Sequence, residues 1–399
     1  MLIEMPPPAT VLYVENGVGF GGAVISLRTF LEHVDRDRYR SVLVHSLEDE
    51  KFASFDGVAE TVHVSRWRYS GNRLLAALIK GLNLDVLVYA FKLAKVAREQ
   101  KADLLYLNND FIANLSGVIA GWMIGRPVVI HERDIPAPHS RLAQWLIRWT
   151  ERFLAISGPV RQALLDMGVP LERITMVPEG LDLNLYHLRP AEEVAALREK
   201  MGVDAGQGLI VMVGMIMEWK GQHVLVESAK EILARHPDTR FVIIGETPPG
   251  REEYLHKLQD RVEILGLGEA IEFIGYRDDI PLYAQAADAV VHASISPEPF
   301  GRVVIEAMVM GTPIVATSIG APPEIVKDGV TGFLVPPSDP ERLAEVLNKI
   351  LDDPDFRAQV GHAARQDALQ NYAIDRHAGL IQAVFDELLW ADLPGTLYQ

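Results

Sequence analysis

The sequence contains no cysteine. Disulfides, thiolate metal sites and cysteine nucleophiles are therefore excluded. No apolar run reaches the ~18 residues that a membrane-crossing helix needs. The opening MLIEMPPPATVLYVENG has no basic segment followed by an apolar one, so no secretory signal is expected and the cytoplasm is the default compartment. Positive charge is scarce: 38 Lys+Arg stand against 54 Asp+Glu, a formal net charge of −16. That balance argues against nucleic acid as a partner. What is present is an ordinary globular composition, 49% hydrophobic and 23% charged, in 399 residues, enough for two or three domains.

The shortage of positive charge is uneven. Residues 1–187 carry 20 basic and 21 acidic side chains, and residues 188–399 carry 18 and 33. One half is near neutral and the other strongly acidic, which hints that one half faces something anionic.

Both halves alternate short apolar runs with helical periodicity. TVLYVEN runs into the glycine-rich GVGFGG, then AVISLRTFLEHV reads as a helix. SVLVHS, ADLLYLNN, RPVVIHE and the start of FLAISGPVRQALLDMG are further strands. The second half repeats the plan with GLIVMVG, TRFVIIGE, IEFIGY, DAVVHAS and TPIVATS, and GQHVLVESAKEILARH carries an i, i+3, i+4 apolar stripe. Strands alternating with helices imply parallel sheets covered on both faces. The expected fold class is α/β with two doubly wound, Rossmann-like domains and a cleft between them. The boundary is expected in PEGLDLNLYHLRPAEE, where Pro178, Gly180 and Pro190 cluster. The expected division is 1–187, then 188–372, with a last helix in 373–399 returning to the first domain. In such sheets ligands bind beyond the carboxyl ends of the strands, so those ends are where function is to be sought.

One such end reads SISPEPFGRVVIEAMVMGTPIV, from Ser294 to Val315. It places Glu298 in a loop and Glu306 about one turn into an apolar helix. Gly301 admits close backbone approach, and the free N–H groups of the helix start suit a phosphate. A carboxylate at 306 can accept from vicinal ribose hydroxyls, and one at 298 from a second polyol. The spacing alone leaves this open against a simpler reading, a dipole-balancing acid and an exposed loop acid.

EPFGRVVIEAM resembles the signature of retaining glycosyltransferases of family 4, with the GT-B fold. GFGGAVISL resembles that family's N-terminal glycine loop. AISGPVRQALLDMGVPLERITMVPEGLDLNLY resembles its interdomain segment. FVIIGE, IEFIGYRDDIPLYAQAADAVVHAS and GAPPEIVKDGVTGFLVPPSDPERLAEVL also fit, so the likeness covers nearly the whole chain in order. The resemblance implies that Glu306 binds the nucleotide ribose and Glu298 the donor sugar. It implies that backbone N–H groups of Phe300, Gly301, Arg302 and Val303 face the sugar and diphosphate. Gly21 and Gly22 would approach the diphosphate, although a glycine pair also suits any tight strand-to-helix turn. Lys220 would neutralise the leaving diphosphate. His131, beside Glu132 at a strand end, would donate to a donor hydroxyl or hold the acceptor; the alternative is a structural histidine. Tyr276 and Arg277 lie where the family binds the base, with Glu246 and Glu324 as weaker candidates.

The sequence departs from the family pattern at Met215, where arginine is common. Methionine cannot pair with phosphate, so either Arg302 or Arg277 substitutes or phosphate binding is weaker. Two N-terminal stretches mix cations with aromatics. SRWRYSGNRLLAALIKG suits either a membrane surface or packing, and SRLAQWLIRWTERF reads rather as an amphipathic helix packed in the fold.

The expected activity is transfer of a sugar from a nucleotide-sugar co-substrate, UDP- or GDP-linked, to a hydroxyl of a glycan or lipid-linked acceptor. The resemblance implies retention and no catalytic metal or further cofactor. The expected location is cytoplasmic, with a peripheral membrane contact through the N-terminal domain at the inner face. Two rival readings are a sugar-nucleotide epimerase-like enzyme on the same fold, and a non-catalytic nucleotide-sugar-binding protein suggested by Met215. A nicotinamide oxidoreductase is more distant. Gly17, Gly19 and Gly22 echo its fingerprint, but SVLVHS ends in His45 and Ser46 without the acid that binds ribose.

Overall fold

The computed structural model describes residues 7–16, 22–48, 50–66, 83–136, 140–204 and 206–390. They form two compact units. The first comprises the described residues up to Gly180 together with Ile374–Trp390, and the second is Leu181–Ala373.

The first unit is built on a sheet with β1 (Ala9–Glu15), β2 (Tyr39–His45), β3 (Glu60–His63), β4 (Leu104–Asn109), β5 (Val128–Glu132), β6 (Arg152–Ala155) and β7 (Ile174–Met176). The order is β3-β2-β1-β4-β5-β6-β7, and every pairing is parallel. Every residue of β1 is buried, as a strand covered on both faces must be. Helix Ile374–Trp390 belongs to this unit through an apolar stripe of Ile374, Ala378, Ile381 and Phe385. Phe385 packs against Tyr13, Phe30 and Tyr39, and Asp386 takes hydrogen bonds from the Arg38 guanidinium and the Tyr39 hydroxyl.

The second unit carries β8 (Leu209–Val213), β9 (Arg240–Ile244), β10 (Ile271–Phe273), β11 (Ala289–His292), β12 (Ile314–Thr317) and β13 (Phe333–Val335). Their order is β10-β9-β8-β11-β12-β13, again parallel throughout. Helix Gln222–Arg235 buries Val224, Leu225, Ala229 and Ile232 against this sheet's core. Helix Pro340–Asp352 begins with Asp339 accepting from the Arg342 N–H at 2.9 Å and proline in its first turn.

In each sheet the strand order reverses beside its first strand, between β1 and β4 and between β8 and β11. Ligands of open α/β sheets sit at such points. Among the described residues no helix is long and apolar enough to cross a membrane.

Candidate functional site

In the second unit, the turns that follow β8 and β11 meet. Helix Gln222–Arg235 is preceded by the short turn Glu218–Lys220, and Gly221 joins them at φ 75°. A Cβ on Gly221 would lie 1.9 Å from the Ala293 carbonyl oxygen, so no other residue fits without moving backbone. The Ile295 N–H donates to the Trp219 carbonyl at 2.8 Å, fastening the two loops. Gly320 plays the same part on the far side: a Cβ there would stand 2.3 Å from the backbone nitrogen of Glu298. The Ala321 N–H donates to the Glu298 carbonyl at 2.9 Å.

This scaffold holds the Glu298 carboxylate beyond the carboxyl ends of the central strands β8 and β11. Three groups converge on its Oε2: Lys220 Nζ at 2.7 Å, Ser294 Oγ at 3.0 Å and His292 Nε2 at 3.2 Å. Oε1 has no partner among the described residues. Burial alone would raise this carboxyl's pKa, but the His292 and Lys220 hydrogen bonds and charges outweigh it and hold it down at about 2. Glu298 is therefore a fixed anion with one oxygen available. Lys220 lies with its ammonium 4.1 Å from the centre of the Trp219 ring.

Gly301 follows Glu298 closely and precedes helix Arg302–Met310, whose start has no side-chain cap. Such a start presents its first N–H groups outward. Phe300 is buried, its ring 6.1 Å from that of Tyr372. Glu306 lies on the same helix. Its Oε1 accepts from the Tyr186 hydroxyl at 2.9 Å and stands 3.5 Å from the Arg302 guanidinium. Its Oε2 has no partner among the described residues. Burial, and then the Glu306 charge, raise the Tyr186 pKa, so its hydroxyl stays a donor.

The strand ends thus bring Lys220, Glu298, Gly301, Arg302, Val303 and Glu306 into one stretch of the second unit. Met215 follows β8 at 52% exposure. Neither cation expected to replace an arginine there is uncommitted. Arg277 forms a two-pronged pair with Asp279 at 2.9 and 2.7 Å, and Arg302 is paired with Glu306. Tyr276 stands 65% exposed beyond β10. His292, Ser294 and Tyr186 complete the arrangement, and sequence reasoning missed all three. The signal for His292 was available, as a polar residue closing the buried run DAVVHAS.

The first unit treats its strand ends differently. Gly21 lies outside the described residues, and Gly22 opens helix Gly22–Glu32. His131, at the end of β5, is wholly buried. Arg133 Nη2 approaches its Nδ1 at 3.2 Å, and the Tyr106 hydroxyl bonds the same atom. Arginine can only donate, so Nδ1 accepts and the ring proton sits on Nε2. Burial, then the neighbouring Arg133 charge, push this imidazole's pKa well below the ordinary range, so it is neutral. Glu132 is also wholly buried, with Phe111 N–H 3.0 Å from Oε2, and burial raises its pKa well above the usual carboxylate range. Arg133 is bonded to Glu179 and to Asn108 Oδ1, the latter at 3.0 Å. No ligand atom can touch His131 in this arrangement.

Of the two basic and aromatic stretches, the first lies mostly outside the described residues. Its Arg66 donates to the Ala113 carbonyl at 2.7 Å. In the second, Trp145 and Trp149 are not packed away. With Trp122 they form a cluster of rings 5.8 to 6.4 Å apart, each ring 36–49% exposed. Among the described residues no group of three or more His, Asp or Glu side chains is placed to hold a metal.

Two parallel doubly wound sheets, with a fixed carboxylate, a lysine and an open helix start at the second switch point, agree with the GT-B glycosyltransferase class that the sequence resembles. The comparisons then give the family. Residues 193–367 match Glycosyl transferases group 1, and residues 20–185 match Glycosyltransferase Family 4. The chain belongs to this family. It is 30% identical over 251 residues to the lipopolysaccharide core biosynthesis mannosyltransferase LpcC of Rhizobium leguminosarum, covering 63% of this chain and 68% of that one. It is 32% identical to a D-inositol 3-phosphate glycosyltransferase of Frankia alni, and the match covers 58% of each. The chain thus spans little more than half the length of that relative. Among solved structures, HepE from Anabaena in complex with UDP superposes with a TM-score of 0.83 at 28% identity, covering 95% of this chain and 100% of that one.

Proposed function

We propose that the chain transfers a sugar from a nucleotide-sugar donor to an acceptor hydroxyl, with the donor in the second unit. The observation that carries this is Glu298: three groups fix its Oε2 and leave Oε1 to accept from a sugar hydroxyl. Glu306, steadied by Tyr186, would accept from the ribose. The uncapped start of helix Arg302–Met310 would meet the diphosphate, and Lys220 would turn from Glu298 to the departing charge. Tyr276 and Arg277 would border the base. His131 enters as a positioning residue behind Arg133, because its own ring is buried. A UDP-sugar donor is favoured by HepE, which has been solved with UDP and with UDP-glucose. Retention of configuration, and charge neutralisation by Lys220 and the helix start rather than by a metal, follow from the resemblance. The acceptor would be a glycan or a lipid-linked sugar. Family and neighbours favour a transferase over an epimerase.

The test is a thermal-shift panel of UDP, GDP, ADP and NAD. A ligand at a hundredfold excess over its Kd stabilises by about 2.7 kcal/mol. Stabilisation by one nucleoside diphosphate, lost in Glu306→Ala, is expected. No shift with any nucleotide would sink the donor reading and leave the non-catalytic one.

A further inference from the structure

The second unit contains a cavity of about 900 Å³ beside the Glu218–Lys220 turn and helix Glu253–Ile264. It is not formed by Glu298 or Glu306. Its lining combines three chemical characters. Trp219 supplies an aromatic plate, half buried, with Lys220 over its ring. His223 supplies a neutral hydrogen-bonding ring. The Tyr254 hydroxyl accepts the His223 backbone N–H at 3.3 Å and lies 2.9 Å from the ring's Nδ1. The hydroxyl can thus bond the ring through either of its two roles, and the neutral imidazole keeps one N–H and one bare nitrogen. Burial keeps the ring neutral, lowering its pKa. Glu218 supplies an exposed carboxylate with no partner among the described residues, close enough for its charge to act on both His223 and Tyr254.

The cavity's cations are largely matched. Lys257 pairs with Glu253 at 2.7 Å, and Arg261 grips Glu227 at 2.5 and 2.8 Å. An aromatic face, a neutral imidazole and a carboxylate acceptor suit a ring that is apolar on its faces and hydroxylated at its edge.

We propose that this cavity is a subsite for a neutral glycosyl unit, its ring against Trp219 and its hydroxyls on Glu218 and His223. The proposal rests on the donor reading above, because the sugar it holds is distinct from the donor's. The two sites share the turn that carries Lys220, and the Trp219 carbonyl is bonded to Ile295, three residues before Glu298.

The experiment is saturation-transfer NMR on the full chain with methyl α-glucoside, methyl α-galactoside and methyl α-mannoside, and glucose 1-phosphate as the anionic control. Thermal shifts with UDP are read on the same samples. At least one neutral glycoside should bind the wild type and Glu298→Gln alike. Its affinity should fall about tenfold or more in Glu218→Gln and in His223→Phe, as loss of a charged or fixed hydrogen bond requires. UDP stabilisation should persist in Glu218→Gln. Binding lost in Glu298→Gln but kept in Glu218→Gln would place the sugar in the donor site and overturn the proposal. Binding of glucose 1-phosphate alone, or of none of the probes, would overturn it too. Glycoside binding of the expected pattern without any UDP shift would leave the cavity assigned and a UDP-linked donor refuted.

Discussion

The two units end their strands with polar groups on closely matching topologies and treat them in opposite ways. In the first, Arg133 and Glu179 are sealed at 3% and 5% side-chain exposure, and burial lowers the pKa of His131 and raises that of Glu132. In the second, Lys220 and Glu298 pair at 18% and 10% exposure, and the carboxylate keeps one oxygen open. A sealed ion pair needs every lone pair and proton satisfied within the protein, because the desolvation cost is otherwise uncompensated. Arg133 approaches that condition, with each guanidinium nitrogen bonded in turn to Glu179, Asn108 and His131. A half-open pair can exchange a partner for a ligand. The first network is architecture, and the second is available for chemistry.

The comparison can be broken most forcefully at Glu179. Glu179→Ala leaves Arg133 buried and uncompensated, which should cost about 3–5 kcal/mol. Urea unfolding should show this as a lower midpoint. A loss under about 1 kcal/mol would mean that the pair is not sealed.

Acid probes the second pair. The Glu298 carboxyl is lowered to about 2 from an ordinary 4.5. Its contribution is therefore full above the unfolded value and is lost as pH falls from about 4.5 through about 2. The shift corresponds to about 3 kcal/mol. The stability gap between wild type and Glu298→Gln should shrink across that window. A gap that stays constant with pH would contradict the anionic assignment.

The smallest effect sharpens the contrast by adding a cation to the open site. Met215→Arg places a guanidinium on an exposed side chain, so stability should move by less than about 0.5 kcal/mol. UDP affinity, read by calorimetry, should rise severalfold, in line with about 1 kcal/mol for an added charged hydrogen bond. Unchanged affinity would place position 215 away from the phosphates.

The fold was legible where strands are buried on both faces. TVLYVEN, GLIVMVG and DAVVHAS announce β1, β8 and β11 because a two-sided core demands continuous apolar residues. Three strands escaped. β3 and β13 are edges, β7 is the other edge of its sheet, and each spans three or four residues, too few to show a period. At the site, the spacing of Glu298 and Glu306 was visible because one loop and helix carry both. The Lys220–Glu298 pair was not, since 78 residues separate its members. Tyr186 lay hidden in the interdomain segment, where nothing local marks a hydrogen bond made 120 residues away. The exposed Trp122, Trp145 and Trp149 cluster also differs from the packed helix expected, because Trp122 comes from a different helix altogether.

The path of the chain between the units sets an order of assembly. It leaves the first unit at Gly180 and returns at Ile374. Within the second unit its two ends are tied, with the Leu181 N–H on the Tyr372 carbonyl at 2.8 Å. During synthesis the second unit therefore has all its residues before the first does, reversing the usual N-terminal-first sequence. The core around Tyr13, Phe30 and Tyr39 must wait for Phe385. A ribosome that stalls before the last helix would carry a finished second unit and an unfinished first one.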